Sequence, residues 1–105
     1  MRTVHKFELD DSVTTTGVGA VTKLQLPRSA RPLAVQAQQN KAQIWVLLDP
    51  EQNTVERTFV MTGTGHPIQA PGLEEHIQED YEYVDTFQLG AFVGHVWEVV
   101  EAMPF

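Results

Sequence analysis

Residues 58–68 read TFVMTGTGHPI, and this stretch decides how the rest of the chain is organised. Its first half has the two-residue period of a strand: Phe59 and Met61 share one face, Thr58, Val60 and Thr62 the other. Its second half breaks that period with Gly63, Thr64, Gly65, His66 and Pro67. Glycine supplies the positive φ of a tight strand exit, so the segment predicts a strand running into a corner. The corner also divides the chain by charge. Residues 1–57 hold seven basic and six acidic groups, a balance of +1, while residues 58–105 hold eight acidic and no basic groups.

Working outward, further short strands are expected on both sides. Residues 3–9 alternate, with His5, Phe7 and Leu9 on one face. Residues 13–20 (VTTTGVGA) read as a short edge strand or a loop, weakened as a strand by two glycines. Residues 21–26 turn Leu24 and Leu26 inward and stop at Pro27; residues 33–38 turn Leu33, Val35 and Ala37 inward. Gln39–Asn40–Lys41 predicts a hairpin turn, because Asn tolerates positive φ. QIWVLL (43–48) is the most apolar run and predicts a central strand covered on both faces. After the corner, residues 73–79 have room for one short helix. Residues 81–89 then place Tyr81, Tyr83, Phe87 and Leu89 on one face, with Asp85 interrupting, and residues 92–100 form a last strand. The tail, 101–105, is expected to fray unless Phe105 docks. These signals predict a single all-β domain over residues 1–105. It is a small sandwich or partly open barrel of six or seven mostly antiparallel strands, with at most one short helix near 73–79.

Composition excludes several classes. A chain of 105 residues with 42% hydrophobic content is one folded domain. Without cysteine there is no disulfide, thiolate metal site or thiol nucleophile, which suits a reducing cytosol. No signal-peptide core or membrane-spanning run is visible, so a cytoplasmic protein without a membrane partner is expected. A net charge of −7 disfavours direct nucleic-acid binding, although Arg2, Lys6, Lys23, Arg28 and Arg31 could gather on one side.

Catalytic constellations are also missing. TGTGH matches neither the dinucleotide fingerprint nor the P-loop, and prolines rather than a helix follow it. His5, His66, His76 and His95 show no metal-ligand spacing, so no metal and no cofactor are expected. Ser12 and Ser29 sit in no nucleophile elbow. The sequence therefore predicts a binding protein and not an enzyme. Its candidate partner surface is Glu74, Glu75, Glu79, Asp80, Tyr81, Glu82, Tyr83 and Asp85, where tyrosine anchors lie among carboxylates that could pair with a basic partner. The alternative site is a small-ligand or nucleotide pocket at the turn Gly63, Thr64, Gly65 and His66, with His95 beside it. A homodimer through an edge strand at 13–20 or 93–100 is the oligomer to test.

One resemblance adds to this reading. The blocks VHKFEL (4–9), KLQLP (23–27), IWVLLDP (44–50), RTFVMTGTGHPI (57–68) and FVGHVWE (92–98) resemble a family of small domains of unknown function encoded mainly by bacteriophages and prophages. The chain departs from that pattern in its Thr/Gly stretch at 13–20 and its acidic segment at about 70–82. The resemblance implies action in the cytoplasm of an infected bacterium, and it brings no catalytic residue. Taken with the absence of catalytic constellations, the charge split at Arg57 and the Tyr-bearing acidic segment, the expected function is modulation of a host protein with a basic surface, such as a nucleic-acid-binding or defence component. A virion or assembly accessory is the remaining alternative.

Overall fold

Strands form wherever the chain alternates apolar and polar residues between turn-formers. A computed structural model describes residues 1–100. In chain order it contains β1 (Thr3–Glu8), a one-turn helix α1 (Val13–Thr16), β2 (Ala20–Pro27), β3 (Arg31–Gln38), β4 (Lys41–Leu48) and β5 (Thr54–Gly63). A 3₁₀ turn at Gln78–Asp80, β6 (Tyr81–Leu89) and β7 (Phe92–Val99) follow. The tail at 101–105 lies outside the described residues. Every strand pairing is antiparallel, and the strands form two sheets, β1-β4-β3 and β2-β5-β7-β6. The expected all-β architecture is present as an open sandwich, not a closed barrel.

The shared core lies between the sheets. From β4 it takes Ala42, Ile44, Val46 and Leu48, and from the other sheet Leu26, Phe59, Met61, Phe87 and Val96. Ile44, Val46 and Val96 are fully buried, and burying side chains of this size contributes about 1.5–3 kcal/mol each. Gln39 and Asn40 both have positive φ, 54° and 62°, so β3 and β4 join through a two-residue turn whose twist matches the strands. Pro27 and Pro32 fall on β2 and β3, which are edge strands, where a missing N–H breaks no inner ladder.

The structure corrects several expectations. β4 is central in its sheet, but only one of its faces is buried; Trp45 and Leu47, on the other, are half-buried. The strand covered on both faces is β5. Phe59 and Met61 enter the shared core, while Val60 joins a second cluster with Ala70 and Tyr81 under the connection that follows the corner. The segment at 13–20 is helical at its start: the Asp10 carboxylate accepts the Ser12 amide at 2.8 Å, Val13 is buried, and Gly17 ends the turn with φ 71°. It is no strand, and β7 lies between β5 and β6, so neither segment proposed for edge pairing has a free strand edge.

Two β-bulges change which residues face inward. One, between Pro32 and Ala34, leaves Leu33 unpaired and 46% exposed; beyond it Val35 is buried, while Ala37, opposite Ala42, is exposed. The other, between Tyr83 and Asp85, makes Val84 the extra residue. Tyr81 and Tyr83 therefore face outward, while Phe87, and Leu89 beyond it, pack on the shared core. The carboxylate of Asp85 accepts the Val35 amide at 2.8 Å and ties the two bulged edge strands together.

Arg57 closes one end of the sandwich. Its Nε and Nη2 donate to the Glu98 carboxylate at 2.6 and 2.8 Å. Its Nη1 donates to the carbonyls of Pro27 at 3.0 Å and Ala30 at 2.6 Å, in the connection that carries the chain from β2 in one sheet to β3 in the other. Both side chains are largely buried, at 14% and 11% exposure. Replacing Arg57 by Met should lower unfolding free energy by about 3–5 kcal/mol, because Glu98 then remains buried and unpaired. Adding Glu98→Leu should restore part of that loss. Urea denaturation measures both; a single variant within about 0.5 kcal/mol of the parent would show that the pair does not hold the end closed.

Candidate functional site

The corner that follows β5 is a tight turn. The His66 amide donates to the Gly63 carbonyl at 3.1 Å, and Gly65 sits at φ 83°, where an L side chain would be strained. Gly63 is different: its φ is ordinary, but a Cβ there would come within 3.0 Å of the His66 ring and 3.3 Å of Phe92. The ring of His66 therefore folds back over the strand end. The chain then crosses the outer face of the β2-β5-β7-β6 sheet, where Ile68, Ala70 and Leu73 pack with Val60, Tyr81, Val99 and Trp97.

Beside this cluster the outer face carries a row of polar side chains. His95 on β7 is held at both ring nitrogens: Nε2 lies 2.7 Å from Thr64 Oγ1 and Nδ1 lies 2.9 Å from Thr86 Oγ1. Thr86 also meets the Tyr83 hydroxyl at 2.7 Å, and the Trp97 indole N–H donates to Thr62 at 3.1 Å. Tyr83 stands edge-on to Trp97 with ring centroids 5.6 Å apart and is 57% exposed. A hydroxyl bonded to imidazole is part of what an activated nucleophile needs. Among the described residues, however, no carboxylate orients His95, whose second nitrogen is held by another threonine. The row can position the two aromatic rings for binding. Sequence periodicity alone could not assemble it, because Thr86 joins Tyr83 on one face only through the Val84 bulge.

The structure sorts the candidate partner residues. Glu74, Glu75, Glu79 and Glu82 are exposed, as is Ile77 at 63%. The Gly72 amide donates to the Glu74 carboxylate at 3.0 Å and holds its pKa below the ordinary carboxylate value. Glu82 pairs across from Glu98 on β7, away from the Tyr83 row. Asp80 is engaged within the connection, accepting the Ile77 amide at 3.1 Å and lying 3.2 Å from His76 Nδ1. Tyr81 is buried, and Asp85 is bound to the Val35 amide. What stays exposed is thus Glu74, Glu75, Ile77 and Glu79 of the connection, with Glu75 3.5 Å from His76, together with Glu82 and Tyr83 on β6.

The turn residues proposed for a ligand divide as well. Gly63 is buried and Thr64 is bonded to His95, whereas His66 borders a cleft of about 390 Å³. Its other walls are Gly17, Val18 and Gly19 after α1, and Gln69, Glu74 and His76 of the connection. No group of three or more His, Asp or Glu among the described residues is placed to hold a metal ion. No described helix is long and apolar enough to cross a membrane.

A family profile described as "Domain of unknown function (DUF7352)" matches residues 1–104. No curated protein and no solved structure shows a significant match.

Tyr81 offers a test of how the connection packs. Burial pushes its phenol pKa up, and the carboxylates of Asp80, Glu75 and Glu74 add to the shift. Folding thus favours the neutral phenol. That contribution is complete below the unfolded tyrosine value of about 10 and is lost as pH rises from there through the folded value. Tyr83→Phe leaves Tyr81 as the single tyrosine. Its tyrosinate absorbance should appear at higher pH than that of the unfolded chain; identical midpoints in the folded and unfolded states would show that the ring is not buried as described.

Proposed function

The chain belongs to this family of domains of unknown function, and from that premise we propose that it is a non-catalytic protein that binds a basic partner. The observation that carries the reading is the exposure of Glu74, Glu75, Ile77 and Glu79 in the connection and of Tyr83 on the strand that follows it, in a half of the chain with no Lys or Arg. Ile77 and Tyr83 supply apolar anchors, and the glutamates supply charge that speeds encounter with a cationic surface and selects against acidic ones. The blocks shared with phage-encoded domains point to a host protein in the cytoplasm of an infected bacterium, with inhibition of a nucleic-acid-binding or defence component as the outcome.

Affinity capture from bacterial lysate tests this. A basic protein should be retained by the parent chain and lost on the combined Glu75→Lys, Ile77→Ala and Glu79→Lys variant, whose fold is checked by circular dichroism. Retention of nothing, or equal retention by the variant, would sink the proposal.

The cleft beside His66 favours a second reading, a small polar ligand held between the α1 exit and the connection. A thermal-shift screen with nucleotides and divalent cations should then give a stabilisation that His66→Ala removes. A flat screen rejects this reading and leaves the first untouched.

A further inference from the structure

The face opposite the glutamate loop has a different chemistry. It is the outer face of the β1-β4-β3 sheet, and strand register fixes its layout. Val4, Leu47 and Arg31 form one cross-strand row, Lys6, Trp45 and Ala34 the next, and Glu8, Gln43 and Gln36 a third. The Lys6 ammonium donates to Gln38 on β3 at 2.6 Å, so its side chain lies across β4. Apart from that side chain the face stays partly open: Val4 is 47% exposed, and Trp45 and Leu47 are half-buried. Lys6 and Arg31 are exposed and have no carboxylate partner among the described residues, while Lys41 stands 3.9 Å from Glu8. Of the other cations, Lys23 pairs with Glu56 on the opposite sheet at 3.8 Å, and Arg28 lies in the β2–β3 connection.

We propose that this face binds single-stranded nucleic acid. Trp45, on the central strand, offers a ring on which a base can stack. Lys6, held at Gln38 at one end of β3, and Arg31, at the other end, can take phosphates on either side of the stacked base, and Gln36 and Gln43 carry amides that both donate to and accept from base edges. An open sheet face without groove walls suits planar bases better than a peptide, whose side chains need pockets. The net charge of −7 does not cancel this patch. The glutamate loop lies beyond the second sheet, and sheets pack about 10 Å apart. That exceeds the screening length of about 8 Å at physiological salt. The inference stands independently of the glutamate surface.

Fluorescence anisotropy with labelled oligo(dT) of about 16 nucleotides provides the test. With Lys6 and Arg31 both engaged, a fourfold rise in salt should weaken binding roughly sevenfold. Trp45→Leu should weaken it about 5- to 150-fold, the range for loss of one stacked base. The combined Lys6→Glu and Arg31→Glu variant should abolish binding, and the milder Lys6→Gln and Arg31→Gln should weaken it, each with an unchanged circular dichroism spectrum. Glu75→Lys with Glu79→Lys should leave binding at or above the parent level. The inference is overturned by no anisotropy change at about 0.1 mM protein in low salt. Binding indifferent to the Lys6 and Arg31 changes would overturn it equally. Displacement of the oligonucleotide by poly-glutamate at matched charge would mean that the face takes an acidic polypeptide instead.

Discussion

A single guanidinium holds the sandwich together where the chain changes sheets. β2 belongs to one sheet and β3 to the other, and only the short connection 28–30 joins them. Such a connection turns carbonyls inward at the open end of a sandwich, where water is partly excluded and each unpaired acceptor is costly. Arg57 answers that demand from β5, donating to Pro27 and Ala30 and pairing with Glu98 on β7. A lysine could not do the same, because a point charge lacks the planar fork that meets a carboxylate and two carbonyls together. The closure is anchored on β5 and β7, which form the middle of the larger sheet.

The two bulges are the second constraint. Each lies on an edge strand, and Asp85 joins them by accepting the Val35 amide. The β6 bulge lets one strand serve two clusters: Tyr81 and Tyr83 point outward, Phe87 inward. Because side chains alternate with a period of two, one extra residue is enough to move the remainder of a strand to the other face. That switch puts Thr86 beside His95 and aligns the polar row of the outer face.

Charge then follows the layers. The larger sheet and its connection carry Glu74, Glu75, Glu79 and Glu82, with Lys23 paired to Glu56, and the smaller sheet carries Lys6 and Arg31 around Trp45, with Glu8 paired to Lys41. A chain of modest size thus offers two surfaces of different charge, separated by the thickness of the core. The net charge describes neither surface, since screening in salt makes each act locally.

Much of the architecture was legible in the residues alone. Alternation gave the strands, the Gln39–Asn40 pair marked the hairpin, and Gly65 marked the corner, because these features depend only on local backbone sterics. The exposure of Glu74, Glu75 and Glu79 was also legible, since closely spaced like charges without a basic neighbour stay in water; Glu98, in the same half, is buried because Arg57 pairs with it. Three things were decided by tertiary structure. The doubly covered strand is β5 and not the more apolar β4, because coverage depends on where the connection at 66–80 lies down. Asp80, Tyr81 and Asp85 became parts of the fold, because the partners that engage or enclose them, His76, Val60 and Val35, come from elsewhere in the connection or from other strands. The opposed faces emerged only from register, which sets residues such as Lys6 and Trp45 side by side although 39 positions separate them. Periodicity tells a residue which way to face relative to its own strand; only pairing and packing decide what it meets there.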